Sequence, residues 1–174
     1  MMKDLLIAIF KELSDWIEAY NLELDPDDFG KLKPVEVRIL GQMTLLANDV
    51  AANILTLQRT NDLDAVIEKN DWNIKRILDK EILRKHGLEL DPQSDDIWIP
   101  PGAKYHLLQD FKNVRLKLLD AESALVSKAV KARKKNKILI IDALASGQFP
   151  NLAKRIEAHG GDLEYFIGDE DEKE

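Results

Sequence analysis

Between Val35 and Leu40 apolar and charged residues alternate, and beyond Gly41 the apolar residues Met43, Leu45, Leu46, Val50, Ala51 and Ile54 recur at helical spacing. A period that changes from two to about 3.6 across one glycine specifies a strand with one solvated face that turns sharply into a helix. A second strand is expected over Asp62 to Ile67. On it Leu63 and Ala65 point one way, and the carboxylates of Asp62 and Asp64 leave together by the other face. Two neighbouring carboxylates repel unless a cation lies between them, and in proteins that cation is usually Mg²⁺, shared with substrate phosphates. Asp-x-Asp is also common in solvated turns, so its weight comes from its surroundings.

The rest of the chain fills in the layers. Residues Asp4 to Tyr20 place Leu5, Leu6, Ile9, Leu13, Trp16, Ile17 and Tyr20 on one helical face, a cover for the sheet or, less simply, a partner-binding surface. Lys11 and Glu12 cut the opening apolar run short and no small-residue cleavage site follows, so it does not read as a signal peptide. Asn70-Asp71 offers an N-cap to a helix from Trp72 to His86, and Gly87 is placed to end it as the C′ residue. Leu88-Glu89-Leu90 reads as a short strand, and Asp91 to Asp96 as a turn. Tyr105 to Gln109 and Val114 to Leu119 read as paired strands. Asp120 caps a helix bearing Lys128, Lys131 and Lys135, with Leu125, Ala129 and Ala132 on its buried side. Ile138 to Ala145 forms another helix, ended by Gly147, and Asn151 caps a short one reaching His159. The fold class is therefore α/β (α+β), a mixed sheet flanked by helices. Its divisions are an N-terminal helix and loop over 1–34, a core over 35–120, C-terminal helices over 121–167 and a charged, disordered tail over 168–174.

Composition narrows the function. A chain of 174 residues with 45% hydrophobic and 33% charged residues can bury a sizeable core, and no apolar run is long enough to span a bilayer. The absence of cysteine excludes thiolate catalysis and cysteine-bound zinc, and it fits a cytoplasmic setting. His86, His106 and His159 stand too far apart to share a ligand spacing. A net charge of −7 argues against a broad DNA-binding surface while leaving room for a local basic patch.

The order strand, Gly41, helix, Arg59-Thr60 and Asp-x-Asp strand resembles the opening of the minimal nucleotidyltransferase domain, the polymerase β-like superfamily. The stretch Ala124 to Arg133, with Lys128 among apolar residues and a following helix containing Asp142-Ala-Leu, is similar to the lysine-bearing helix of its small bacterial branch related to abortive-infection toxins. The resemblance spans about Val35 to Gly147. It implies transfer of a nucleotide from an NTP to an acceptor with Mg²⁺, with Asp62 and Asp64 as catalytic and metal-binding residues. It also implies that Gly41 and the helix after it hold the β and γ phosphates, and that Arg59 and Lys128 balance negative charge. From the residues alone, Arg59 serves equally well as an ion-pair partner of Asp62 or Asp64.

Three departures stand beside the resemblance. Gln42 occupies a position where the family carries a second small residue after the glycine. Lys134-Lys135-Asn136-Lys137 stands where an Arg-Asp pair is common, and a third carboxylate has only Asp96 and Asp110 as candidates, neither within a strand by this reading. They support an alternative expectation, a catalytically degenerate nucleotidyltransferase fold that binds a protein partner or regulates in a toxin–antitoxin or defence pair. A helical adaptor working through the N-terminal amphipathic face is a third.

Overall fold

The structure, a computed structural model, describes residues 1–27 and 29–168. The expectation of a disordered tail lies outside the described residues from 169 onward. A four-stranded mixed sheet carries the fold in the order β3-β1-β6-β5, with β1 Val35–Ile39, β3 Ala65–Ile67, β5 Tyr105–Asp110 and β6 Val114–Leu119. The central pair β1 and β6 is parallel, from Val35 beside Val114 to Ile39 beside Leu118, and both outer strands run antiparallel to their neighbours. A two-stranded parallel ribbon, β2 Asp62–Leu63 with β4 Glu89–Leu90, stands beside it.

Alternation decides which face is covered. Val35, Val37 and Ile39 of β1, Ala65 and Ile67 of β3, and Val114, Leu116 and Leu118 of β6 all enter one core. That core is closed by α1, Met2–Glu23, through Leu6, Ile9, Phe10, Leu13 and Ile17, and by the helical segment beginning at Trp72. The amphipathic face of α1 is thus core for most of its length, and only Tyr20 at its end stacks on Trp16 in the open. The opposite sheet face is polar: the Glu36 carboxylate accepts from Lys117 at 2.7 Å and Arg38 at 2.8 Å, and Arg38 lies over the Tyr105 ring. A second core lies past the C-terminal ends of the parallel strands. There Leu40, Leu45 and Leu119 meet α5, Ala121–Lys131, with α6 Lys137–Ser146, α7 Leu152–Ala158 and α8 Glu164–Ile167.

Several boundaries differ from the sequence reading. The helix expected from Met43 to Ile54 is two, α2 Gly41–Ala47 and α3 Asp49–Ile54, because Asn48 is extended and its side chain accepts from the Ala51 N–H as a cap. The segment Trp72–His86 is α-helical only to Ile77 (α4), widens to a π turn over Leu78–Ile82 and tightens to 3₁₀ over Leu83–His86. Asp79 in the wide turn accepts from the Leu90 N–H at 2.9 Å and so holds the outer edge of β4. Ala132 is exposed rather than buried, since α5 ends at Lys131. The strand expected over Asp62 to Ile67 is divided at Asp64, whose two sides pair with different partners. No helix among the described residues is long and apolar enough to cross a membrane.

Candidate functional site

Parallel neighbours that each lead into a helix leave a crevice beyond their carboxyl ends, where the two connections part. Here β1 turns through Gly41 into α2, and β6 passes through Asp120 into α5; the Thr44 hydroxyl fastens the two exits by donating to the Leu119 carbonyl at 2.7 Å. The crevice is a cleft of about 650 Å³, with Gly41, Asp64 and Asp91 at one side, Lys128, Lys131 and Lys135 at another, and Ile97-Trp98-Ile99 as an apolar wall.

Asp64 is fixed from both sides by backbone. Its carbonyl accepts from the Leu40 N–H at 2.8 Å, continuing the β1 and β3 ladder by one rung. On its other side the Asp91 N–H donates to the Leu63 carbonyl at 2.9 Å. The ribbon register, Asp62 beside Glu89 and Leu63 beside Leu90, therefore sets Asp64 next to Asp91 on the adjoining strand end. Asp91 is held in turn, its carboxylate accepting from the Gln93 N–H and its carbonyl from the Ser94 hydroxyl, while buried Ser94 receives the Ala65 N–H.

Gly41 is required twice over. It adopts φ +59°, which L side chains rarely tolerate, and a Cβ there would stand 2.5 Å from Asp64 Oδ2. A glycine at this turn is what lets the half-buried carboxylate lie against the strand-to-helix corner.

The electrostatics of the cleft are unbalanced. Burial, then the charge and close approach of Asp91, push the Asp64 carboxyl up from its ordinary 3.8 to about 6; Lys128 opposes this and Asp62 adds a little to it. Among the described residues Asp64 Oδ1 is the one buried side-chain polar atom without a hydrogen-bond partner. Half-buried Lys128 is pushed down from the ordinary lysine value by burial and then by Lys135, with Asp64 pulling it back. No ion pair closes between Lys128 and Asp64.

Of the residues singled out from sequence, Gly41, Asp64 and Lys128 line this one cleft. Asp62 is exposed, two rungs earlier beside Glu89, and does not line it. Arg59 is exposed on the loop before β2 and pairs with neither aspartate among the described residues. Gln42 does not obstruct the cleft, because its amide donates to the Gln58 carbonyl at 2.9 Å and the side chain lies outside the lining. Asp96 lies at the cleft, whereas Asp110 is at the far end of the sheet beside Arg115. The acid that meets Asp64 is Asp91, which the sequence placed only in a turn; its signal was the preceding short strand, Glu89–Leu90, whose partner was not specified.

Mg²⁺ is the ion the resemblance implies. The unpartnered Oδ1 and the two facing carboxylates fit it, since Mg²⁺ needs only one or two protein carboxylates when phosphates supply further oxygens. Asp64 and Asp91 would hold it. Among the described residues no group of three or more His, Asp or Glu side chains is clustered for a metal. No protein-family model, curated protein or solved structure matches the chain.

Proposed function

We propose that the chain is a cytoplasmic Mg²⁺-dependent nucleotidyltransferase, which takes an NTP into the cleft between α2 and α5 and transfers its nucleotidyl group to an acceptor oxygen or nitrogen, breaking the α–β phosphoanhydride bond and releasing pyrophosphate. The observation that carries this reading is the Asp64 carboxylate, half-buried, facing Asp91 and with one oxygen unpartnered, at the carboxyl ends of two parallel strands. Such a carboxylate costs stability as it stands and becomes favourable when a cation bridges it to an anionic ligand. Bound there, the ion would neutralise charge on the phosphates and on the oxygen that leaves. The chain's own part is positional. Asp64 and Asp91 would hold the ion beside the Gly41 turn, and Lys128, across the cleft and with its pKa lowered by burial, stabilises charge that builds on phosphate oxygens.

The second reading, a degenerate nucleotidyltransferase fold that engages a protein partner, is favoured by one observation: exposed Asp62 does not join Asp64 at the cleft, and no three-acid group forms among the described residues. Thermal unfolding with Mg²⁺ and each NTP in turn separates the two, because a ligand that binds only the folded state raises its melting temperature. An enzyme shows a Mg²⁺-dependent rise with at least one NTP that Asp64→Asn removes. Absence of any rise with all four overturns the transferase reading in favour of the partner-binding one.

A further inference from the structure

The cleft is two-sided in chemistry, with carboxylates and lysines along one part and the sequence Ile97-Trp98-Ile99 forming an apolar wall along the other. A bare polyphosphate has no use for that wall. Trp98 is half-buried, and His159 packs edge-on against its indole at 5.6 Å. The wall is locked to the lysine helix, since the Ser127 hydroxyl donates to the Trp98 carbonyl at 2.7 Å, one residue before Lys128. Beyond it Pro100-Pro101 stiffens the chain. Lys131, one turn along α5 from Lys128, holds its ammonium 5.3 Å from the Trp98 ring centroid. An indole that already takes a cation on its face, at the edge of a phosphate-binding cleft, offers a flat surface of the right polarity for a nucleobase.

Resting on the nucleotide reading above, we propose that Trp98 is the base platform of the site: the base of a bound nucleoside triphosphate stacks on the indole in place of the Lys131 ammonium, and Lys131 turns to the phosphates. Base recognition is then by stacking, which accepts any base and favours the larger purine surface. Lys128 and Lys131 bracket the triphosphate between the platform and Asp64. Trp98 is a positioning and specificity residue, and the charge chemistry stays with Asp64, Asp91 and Lys128.

The test compares ATP with inorganic tripolyphosphate, each with Mg²⁺, by calorimetry and by tryptophan fluorescence on the full chain. Wild type is expected to bind ATP at least tenfold more tightly than tripolyphosphate and to show fluorescence quenching by ATP alone. Trp98→Ala is expected to lose that preference and still bind tripolyphosphate at least as tightly as wild type, since Lys131 is released from the ring, which also reports that the variant is folded. Trp98→Phe, which keeps an aromatic face, is expected to retain ATP affinity within about threefold and lose the quenching, because Trp16 and Trp72 lie outside the cleft. An unchanged ATP preference in Trp98→Ala overturns the platform and leaves the phosphate site standing. Failure of wild type to bind either compound overturns the platform and the nucleotide reading together.

Discussion

Two acids of this molecule, Glu36 on β1 and Asp64 at the break between β2 and β3, are treated in opposite ways. Glu36 lies on the polar face of the sheet, where Lys117 and then Arg38 hold its carboxyl below the usual range. Asp64 lies where the same sheet ends, faces a second carboxylate, leaves one oxygen without a partner and is pushed up to about 6. A protein able to pair Glu36 twice had the means to pair Asp64, and Lys128 is near enough to feel it without closing on it. A carboxylate answered by its own fold is serving stability, whereas one left unanswered inside a cleft costs stability, which is why the nucleotide proposal places its ion there.

The largest expected effect breaks the corner that Asp64 leans on. Gly41→Ala should cost roughly 3 kcal/mol in chemical denaturation, from left-handed strain together with the clash against Asp64. In an Asp64→Ala background the same change should cost only about 1 kcal/mol, the strain alone; equal costs in both backgrounds would show that the two residues do not meet.

Next come the two acids themselves, with opposite signs. Glu36→Ala should lower stability by about 1 kcal/mol, the scale of a partly exposed charged pair. Asp64→Asn should raise it by about 1 kcal/mol at pH 7.5, a figure reduced for the water that reaches the cleft. If Asp64→Asn destabilises, the carboxylate is structural and the contrast collapses.

The smallest effect is the slope with pH. The folded value of Asp64 lies above its ordinary one, so the folded state holds the proton more tightly and stability falls as pH rises between 3.8 and about 6, then levels. The gain from Asp64→Asn should therefore open across that window and be absent below it. Glu36 runs the other way, its contribution present above the ordinary value of 4.5 and lost as pH falls through the depressed folded one. Denaturant midpoints of wild type and both variants, from pH 3.5 to 8, resolve the two slopes.

Much of the scaffold was legible because its signals are local. Alternation marked β1, two runs that read as paired strands marked β5 and β6, the stripe from Leu6 to Ile17 marked the cover helix, and Asp71, Asp120, Gly87 and Gly147 stand at the helix ends where their chemistry places them. The break at Asn48 was readable in principle, since Asn-Asp is a cap followed by a first-turn acid, but the apolar stripe runs across it. Half of the site was not legible for a physical reason. Asp64 meets Asp91 only because a two-residue strand pairs in parallel across an intervening helical segment, and no side-chain period over Glu89–Leu90 specifies a register. Arg59 was singled out on sequence proximity to the Asp-x-Asp pair, yet chain proximity does not fix where an exposed loop side chain lies.

The claim beneath all of this is that the Asp64 carboxylate is held without a counterion until a cation and a phosphate ligand arrive. The most direct measurement is its own titration, followed by side-chain carboxyl carbon NMR with and without MgCl₂. The account expects a midpoint of about 6 that moves down when Mg²⁺ is added. A midpoint in the ordinary aspartate range, about 3.9, and indifferent to Mg²⁺ would contradict it.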